Sequence, residues 1–480
     1  MAKNIYNYIV EIYALHYTEC VMKALLRKTL EDTSRKLGRR LSVSLLGLGS
    51  TNTALLGLLL DMDDLASVTV RHPGITRGEI PDTVALIGTN DALSNLTEDV
   101  IFPSPSVRRD GLALRNGAQF ISDYDLFFNS EPKHLFSVSG SDGKSTTVSM
   151  ASELLFPRFP DIFTGGNCGV PLWSASLDRS AFLLELSSFT LRYSKPNGGR
   201  ALITNVTPNH LDWHESLKEY EETKLELLYT ADEPIVNLDD EVSERFAKEY
   251  QTFCLISTVT PRNKIITKYK TEHTITLENG KILVDGEAIV SLEDVKHKES
   301  HNVRNLESAI ALSLGYTTAE RIREVASSYR GLDERCERFD VGGVHYISSS
   351  IDTTPERTKT TLLGLGEKVR LILGGRGKGL SLEPLRDVLK KYATKIAIYG
   401  EISSELLSFI ESDAELKEIP HEALSNLGDA INYVKDTVEE GETILLSPAA
   451  TSYGEFKDYK ERGRFFKANV RTLGEKHQKK

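Results

Sequence analysis

A lysine and two hydroxyl residues in the segment 135–148, LFSVSGSDGKSTTV, have the types and spacing needed to bind phosphate. The ammonium group of Lys144 can reach terminal phosphate oxygens, and the hydroxyl of Ser145 or Thr146 can coordinate Mg²⁺. The residues before this loop read as a short strand, and those after it read as a helix. This order predicts a site for a nucleoside triphosphate.

Two glycines shape the same loop. Gly140 and Gly143 free the backbone to turn, so that N–H groups at the helix start can point toward an anion. The general phosphate-loop pattern has glycine where Val138 stands, and the loop departs from it there. The alternative is a glycine-rich turn with an exposed lysine. The joint occurrence of strand, Gly-Lys-Ser-Thr and helix weighs against that alternative.

Further polar residues follow other strand-like runs of the central region. Asn167 lies in a glycine-rich turn, Glu185 ends an apolar run, and His210 follows a third run. Ligands bind at the carboxyl ends of strands in open α/β sheets, so these residues are candidates for one site. A buried Glu185 needs a metal or hydrogen bonds, and with Ser145 it is a candidate Mg²⁺ ligand.

Two histidines and a lysine follow the third run. His210 and His214 stand four apart, but Leu211 replaces the glutamate of HExxH, so the pattern disfavours zinc. We expect His214 to be a surface residue near a helix start. Chemistry alone predicts that Lys224 is an ordinary helix lysine paired with Glu221, three residues before it.

The segment LSVSLLGLGSTNT imitates a dinucleotide-binding turn. Asn52 replaces its third glycine, and the next strand ends at Arg71 rather than at an acid for a ribose hydroxyl. This pattern disfavours NAD, whereas Arg71 suits another anionic nucleotide. Further on, Asn302 and Asn305 begin a helix, where they can cap it or read a base edge, and Asn279-Gly280 predicts a hairpin turn.

Three strand ends near the C-terminus also carry polar residues: the run 349–354, Lys378 in a glycine-rich loop, and Ser447 with Ser452. A basic glycine loop beside hydroxyls is a natural site for a carboxylate or phosphate. A solvated turn explains Lys378 alone equally well.

Composition limits the class of protein. At 480 residues the chain is long enough for about three domains, and its net charge of -11 argues against nucleic acid as the main partner. Four dispersed cysteines fit a reducing compartment. The N-terminus lacks a signal-peptide core, and polar residues interrupt the most apolar region, 45–60, so we expect a cytoplasmic protein without a membrane span.

Strand and helix signals alternate along the chain, which predicts an α/β fold. The predicted blocks are an N-terminal helical extension at 1–40, then 41–131, 132–332 and 333–480. The ordered motifs GSDGKSTT, GGNCGVPL, ELSSF, TNVTPNHLDWH, HNVRN, GLDERCE, GGRGKG and LLSPAATSYGEFKDYKERG resemble the Mur ligase family, in particular its D-glutamate-adding branch.

The resemblance implies three domains: a Rossmann-like UDP-binding domain, a central P-loop ATPase with a parallel sheet, and a C-terminal Rossmann-like domain that binds the amino acid. It also implies an ATP- and Mg²⁺-dependent ligase, expected to be a monomer, that acts in cytoplasmic peptidoglycan precursor synthesis. ATP would phosphorylate the carboxylate of UDP-N-acetylmuramoyl-L-alanine, and the amine of D-glutamate would attack the acyl phosphate. The separate phosphate and amino-acid loops are expected to approach each other when ligands bind.

The resemblance implies roles residue by residue. Lys144 would contact the phosphates, Ser145 and Glu185 would hold one Mg²⁺, His210 would serve a second, and Lys224 would be carbamylated. Nucleotide contacts would come from Gly140, Gly143, Thr146, Asn302, Asn305 and Arg335. D-glutamate contacts would come from Thr353, Lys378, Ser452 and Tyr459, and UDP-sugar contacts from Ser50, Thr51, Arg71, Asn167 and His210.

One run departs from the family pattern. Where relatives commonly have Asn-Asp-Ser, often followed by Lys, this chain has Ser348-Ser349-Ser350-Ile351, and Asp352 is a candidate replacement for the acid. The N-terminal extension is a second departure from the family pattern. Two alternatives follow: a sibling ligase for another amino acid or a folate-like acceptor, and a non-catalytic nucleotide-binding relative. Lys378 with Ser452 argues against the sibling ligase.

Overall fold

The computed structural model describes residues 21–48, 50–72, 80–88, 93, 95–115, 117–167, 171–211, 213–377 and 380–477. The chain divides into two compact units, Met1–Tyr329 and Arg330–Lys480. The first unit contains two sheets and the second contains one, each with parallel strands and associated helices. The α/β fold class is therefore confirmed. The boundaries at 40, 131 and 332 stay predictions.

The first sheet has the order β3-β2-β1-β4-β5, with every neighbouring pair parallel. Its strands are β1 (Leu41–Leu46), β2 (Leu65–Arg71), β3 (Ala85–Ile87), β4 (Val100–Pro103) and β5 (Gln119–Phe120). Its helices are α1 (Val21–Leu37), α2 (Ser50–Leu60) and α3 (Asp123–Phe128). Met22, Leu26 and Leu30 of α1 are buried in the core, so α1 packs through one apolar face. Residues 1–20 lie outside the described part.

The second sheet has the order β14-β13-β12-β11-β10-β9-β6-β8-β7. Its strands are β6 (Leu135–Ser139), β7 (Phe163–Gly166), β8 (Phe182–Glu185), β9 (Arg200–Ile203), β10 (Glu233–Asn237), β11 (Thr252–Ser257), β12 (Thr271–Glu278), β13 (Lys281–Val284) and β14 (Glu287–Ser291). The pairs from β7 to β12 are parallel, and β12-β13-β14 is antiparallel. Asn279 and Gly280 have φ values of 51° and 70° between β12 and β13, which confirms the predicted hairpin turn.

Helices accompany this sheet and carry several of the predicted site residues. They are α4 (Lys144–Leu155), α5 (Ser188–Tyr193), α6 (Leu217–Tyr229), α7 (Glu241–Glu249), α8 (Arg262–Lys268), α9 (Ser300–Ser313) and α10 (Ala319–Ser328), with a 3₁₀ turn at Leu172–Ser174. Helices α4 and α9 share a buried apolar core that includes Val148, Ala151, Leu306 and Ile310. This packing holds the start of α4 beside α9.

The sheet of the second unit has the order β15-β16-β20-β17-β18-β19, in which the β15-β16 pair is antiparallel. Its strands are β15 (Glu337–Val341), β16 (Val344–Ser348), β17 (Val369–Gly374), β18 (Ala393–Tyr399), β19 (His421–Leu424) and β20 (Thr443–Leu446). Its helices are α11 (Pro355–Leu365), α12 (Arg386–Tyr392), α13 (Ser403–Glu411), α14 (Leu427–Lys435) and α15 (Tyr459–His477), with 3₁₀ turns at Glu383–Leu385 and Leu416–Glu418. Among the residues described in both units, no helix has the length and apolar character required to cross a bilayer.

Candidate active site

The phosphate loop joins β6 to α4 as predicted, and two of its glycines have backbone angles that favour glycine. Gly140 has φ 146°, and Gly143, immediately before α4, has φ 80°. A Cβ atom at Gly140 would overlap the hydroxyl oxygen of Thr204, and one at Gly143 would overlap the amide oxygen of Asn305. The loop therefore needs both glycines to connect β6 to α4 with this close packing. The N–H groups at the start of α4 favour an anion.

Two lysines meet at this loop. The Nζ atoms of Lys144 and Lys224 both donate to the carbonyl oxygen of Gly140, each at 2.8 Å, and Lys144 also donates to Ser141. Lys224 lies on α6 and is only 2% exposed. Burial, followed by the charge of Lys144, lowers the pKa of Lys224 to about 7. The neutral amine is therefore a substantial fraction of Lys224 near neutral pH.

The expectation of an ordinary helix lysine at Lys224 is wrong. Glu221, the predicted partner, instead forms an ion pair with Arg245. Lys224 faces inward because it lies on the buried side of α6, which also carries Tyr220 and Leu228. The acceptor for Lys224 is the carbonyl oxygen of Gly140, which follows the end of β6 rather than lying on the same helix.

The two predicted magnesium ligands are direct neighbours. Glu185 is 2% exposed, and its Oε2 accepts a hydrogen bond from Ser145 Oγ at 2.7 Å. Its Oε1 accepts from Asn167 Nδ2 at 2.8 Å, so the buried carboxylate has partners on both oxygens. Hydroxyl and carboxylate oxygens are ligands that Mg²⁺ prefers, and this pair fits that ion. Thr146 follows in the first turn of α4 and is half-buried.

Strand order explains why these residues lie at one edge of the sheet. The parallel strands β9, β6, β8 and β7 are consecutive neighbours. Their carboxyl ends lead, respectively, to the His210 loop, the phosphate loop, Glu185 and Asn167. These residues therefore lie at one edge of the sheet, and a ligand site shared by them stays a prediction.

The two histidines have different surroundings. His210 has φ 53° and lies on an exposed loop, with its ring centroid 4.8 Å from that of Phe189. His214 is buried, with Nδ1 2.7 Å from a carboxylate oxygen of Glu219 and Nε2 3.0 Å from Ser188 Oγ. The surface position expected for His214 is wrong, because α5 and α6 enclose its ring and supply partners to both nitrogens.

The two asparagines of α9 do not cap the helix. Its N-cap is Glu299, and Asn302 Nδ2 donates to the carboxylate of that residue at 3.1 Å. Asn305 is buried, and its Oδ1 accepts from Thr147 Oγ1 at 3.4 Å. The capping interpretation is therefore wrong, and contact with a nucleotide stays a prediction for both residues. Arg335 belongs to the second compact unit, and its role also stays a prediction.

The candidates for the UDP-sugar lie around the first sheet. Arg71 is 3% exposed and forms a bidentate pair with Glu98, with Nε–Oε1 and Nη2–Oε2 distances of 3.0 and 3.2 Å. Sequence reasoning missed this partner, which is 27 residues away in the chain. Thr51 is half-buried in α2, which begins at Ser50, whose side chain lies outside the described part. Sugar contacts by these residues stay predictions.

Asn52 has a structural role that its position in an imperfect glycine motif did not reveal. It is buried, and its Nδ2 lies 3.2, 2.9 and 3.0 Å from the carbonyl oxygens of Leu46, Gly47 and Phe102. The side-chain amide thus connects the turn after β1 to β4. At the position of the third glycine of the dinucleotide pattern, the chain thus has an amide with a structural role.

The amino-acid candidates lie after neighbouring strands of the second unit. Thr353 follows β16, Ser452 follows β20 and the loop with Lys378 follows β17, and these strands are consecutive in the sheet. Ser452 is buried, Thr353 is half-buried, and the carbonyl oxygen of Tyr459 accepts from Ser350 Oγ at 2.7 Å. Lys378 itself lies outside the described residues.

Known proteins resemble this chain over most of its length. The family model of the Mur ligase middle domain matches residues 138–313. A protein of Ruminiclostridium cellulolyticum named UDP-N-acetylmuramoylalanine--D-glutamate ligase is 30% identical over 80% of this chain and 85% of its own length. A relative with the same name from Clostridium novyi is also 30% identical, over 91% of this chain and 97% of its own length. The chain belongs to the Mur ligase family.

A solved Mur ligase supports the same fold. The crystal structure of MurF from Acinetobacter baumannii matches 92% of this chain and 98% of its own, with a TM-score of 0.53 and 13% identity. At that identity the match concerns the fold alone, which is the three-domain α/β fold of Mur ligases.

The run that departs from the Mur ligase pattern is buried and hydrogen-bonded within its own unit. Ser348 Oγ donates to Glu334, and Oδ2 of Asp352 accepts from Thr361 Oγ1 at 2.8 Å and from Ser447 Oγ at 2.7 Å. Burial raises the pKa of Asp352. The carboxyl of Asp352 is thus directed toward hydroxyls of the core, and its replacement of the family's acid stays a prediction.

Proposed function

We propose that this Mur ligase joins D-glutamate to UDP-N-acetylmuramoyl-L-alanine, with ATP as the source of activation, in peptidoglycan precursor synthesis. The observation that carries the proposal is the convergence of a phosphate loop, the Ser145–Glu185 pair and buried Lys224 at one sheet edge. Relatives named UDP-N-acetylmuramoylalanine--D-glutamate ligase that align over most of the chain support this choice of substrates.

The reaction has two balanced steps. A carboxylate oxygen of the alanyl group attacks the γ-phosphorus of ATP, the bond to the bridging oxygen breaks, and ADP leaves. The amine of D-glutamate then attacks the acyl carbon, inorganic phosphate leaves, and the amine gives up a proton. Phosphorylation is needed because oxide is a poor leaving group, and the protein contributes chiefly position and charge neutralisation.

The residues of the phosphate loop fit the first step. Lys144 supplies positive charge beside the terminal phosphates, and the start of α4 supplies N–H groups. Ser145 and Glu185 would hold Mg²⁺, and His210 would serve a second ion. Mg²⁺ held by these residues would supply positive charge that neutralises the phosphates.

Lys224 has the properties required of a carbamylation site. The ammonium first loses one proton; the neutral amine then attacks CO₂ to form an N–C bond and releases a second proton, which leaves a carbamate anion. The lowered pKa of Lys224 favours that neutral amine, and Lys144 lies beside it as a cation for the product. The modified side chain would add an acidic oxygen ligand to the metal site.

The remaining assignments complete the proposal. The nucleotide would be bound by Asn302, Asn305 and Arg335, and the UDP-sugar by Ser50, Thr51, Arg71 and Asn167. D-Glutamate would be bound by Thr353, Lys378, Ser452 and Tyr459. The proposed enzyme is a monomer in the cytoplasm, with domains at 41–131, 132–332 and 333–480 after the extension at 1–40.

Phosphate release tests the proposal. The purified chain is supplied with ATP, Mg²⁺ and UDP-N-acetylmuramoyl-L-alanine, then with D-glutamate, L-glutamate, L-lysine or no amino acid. We expect phosphate release only when D-glutamate is the amino acid supplied. Release with another amino acid would favour a sibling ligase, and ATP binding without any release would favour a non-catalytic relative in which Ser348 and Ser349 disable turnover.

A further inference from the structure

Arg462 is a fully buried arginine, 0% exposed, near the start of α15. Its Nε donates to Ser350 Oγ at 2.9 Å, and its Nη2 donates to the carbonyl oxygen of Ser350 at 2.8 Å. Its Nη1 lies 3.1 Å from the carbonyl oxygen of Ala450 and 3.4 Å from that of Gly374. These three acceptor residues are at or just beyond the carboxyl ends of β16, β20 and β17. One guanidinium therefore connects three neighbouring strand ends.

Further contacts join the loops that follow these strands. Arg376 and Thr451 exchange backbone hydrogen bonds of 2.9 and 3.0 Å, so the loops after β17 and β20 are paired. A Cβ atom at Gly375 would overlap the carbonyl oxygen of Thr451, which shows how closely the loops approach. Ser350 Oγ accepts from Arg462 and donates to Tyr459, the first residue of α15. The helix start and the strand ends thus form one hydrogen-bonded unit.

The planar shape of the side chain matters here. A guanidinium has five N–H donors in a fixed fork, whereas a lysine ammonium is a point charge on a flexible stem. Lysine at position 462 could keep the positive charge, yet it could not reproduce the fixed geometry of bonds to Ser350, Ala450 and Gly374. Loss of that fork would let the loops move relative to one another.

We propose that Arg462 is a positioning residue for the amino-acid substrate. Thr353 stands three residues after Ser350, Ser452 stands two residues after Ala450, and Tyr459 is linked to the network directly. Arg462 sets the spacing of these groups without contact with the substrate. The inference rests on the proposed function, because it assumes that these residues bind D-glutamate.

Arg370 provides a matched control. It is also a buried arginine of this sheet, and its guanidinium contacts Glu442 and the carbonyl oxygens of Val434, Asp436 and Thr437. It lies near the amino end of β17, at the edge opposite to the three strand ends. R370K therefore perturbs a comparable buried network away from the proposed amino-acid site.

The test measures KM for D-glutamate, ATP and the UDP-substrate, together with kcat and Tm, in the full-length wild type, R462K and R370K. For R462K we expect KM for D-glutamate to rise about tenfold or more, with the other two KM values within about twofold, because small misplacements of binding groups cost much. For R370K we expect a lower Tm with an unchanged KM for D-glutamate. Equal effects of both variants on the three KM values would overturn the inference.

Two further measurements keep the result decisive. S350A removes the hydroxyl that contacts both Arg462 and Tyr459. We expect KM for D-glutamate to rise in S350A by less than in R462K, so S350A tests the inference even if R462K is too unstable to assay. Hydrogen exchange should accelerate in 350–353, 374–377 and 449–452 for R462K and not for R370K, and unchanged exchange there would contradict the positioning role. If the wild type does not turn over D-glutamate, the proposed function is refuted. Hydrogen exchange still tests the effect of Arg462 on the loops in that case, because it is measured without substrate.

Discussion

Lys224 Nζ and Lys144 Nζ both donate to the carbonyl oxygen of Gly140, so two lysines separated by eighty positions meet on one backbone atom. Burial disfavours the charged form of Lys224, and repulsion from the neighbouring ammonium group of Lys144 disfavours it further. Burial, followed by the charge of Lys144 in the phosphate loop, thus lowers the pKa of a lysine outside that loop.

Replacement of Lys224 should reduce turnover and leave the fold intact. For K224M we expect kcat to fall on the order of 10²-fold, the typical cost of losing one electrostatic contact in a transition state. K218M is the matched control, because Lys218 lies on the same helix with an 82% exposed side chain. Steady-state kinetics and circular dichroism check both variants. Equal kcat in K224M and K218M would contradict a role for Lys224.

Carbamylation of Lys224 should depend on pH. Its pKa is lowered from 10.5 to about 7, so the neutral amine becomes the major form as pH rises through 7. We expect ¹³C-bicarbonate to give a carbamate resonance that is strong at pH 8, weak at pH 6 and absent in K224R. A wild-type spectrum at pH 8 without that resonance would exclude the modification.

Glu307 should make folding stability depend on pH. Its carboxyl is 0% exposed, and neither oxygen has a hydrogen-bond partner among the described residues. Burial, then the charge of Asp239, raises its pKa to about 8, so its stabilising contribution is complete below about 4.5 and is lost as pH rises toward 8. We expect E307Q to be more stable than wild type by about 1–3 kcal/mol at pH 8, with the difference smaller near pH 5.

Urea unfolding at the two pH values measures this effect. E324Q is the control, because Glu324 has a 63% exposed side chain on the next helix. The free energy of unfolding of E324Q should track that of wild type at both pH values. A pH-independent difference between E307Q and wild type would show that Glu307 does not retain its proton in the folded state.

Removal of the Ser145 hydroxyl should weaken the response to magnesium. Ser145 Oγ lies 2.7 Å from Glu185, and loss of one oxygen ligand would raise the Mg²⁺ concentration for half-maximal phosphate release about tenfold or more. S152A is the matched control on the same helix, where Ser152 Oγ lies 3.2 Å from Thr164 Oγ1. A magnesium titration that is identical for S145A and S152A would remove Ser145 from the metal site.

An alanine at Gly140 should disrupt nucleotide binding. The new Cβ would overlap Thr204, and φ is 146°, so the strain is on the order of 1–3 kcal/mol. Gly57 in α2 has open space around it and no positive φ, so G57A should be neutral or slightly stabilising. Calorimetric ATP titration and thermal unfolding compare the variants. Wild-type ATP affinity in G140A would contradict the proposed loop function.

The sequence alone predicted the features that depend on residues close together in the chain. The strand, glycine loop and helix around Lys144 are adjacent in the chain, and Asn279-Gly280 contains its own turn preference, so both predictions were confirmed. The proximity of Ser145 to Glu185 could also be predicted from the sequence. Glu185 ends one parallel strand and Ser145 follows another, and the carboxyl ends of parallel strands meet at one edge of a sheet.

Tertiary structure decided the partners that are distant in sequence. Lys224 was expected to pair with Glu221 on its own helix, and His214 was expected at the surface. Strand ends and helices from elsewhere in the chain bury both residues instead. The ion pair of Arg71 with Glu98 and the three-loop contact of Arg462 likewise depend on strand order. Sequence determined the chemical groups and their local elements, because hydrophobic period and turn preference are local. Only the packed sheets decided which groups meet, because burial and charge act through space rather than along the chain.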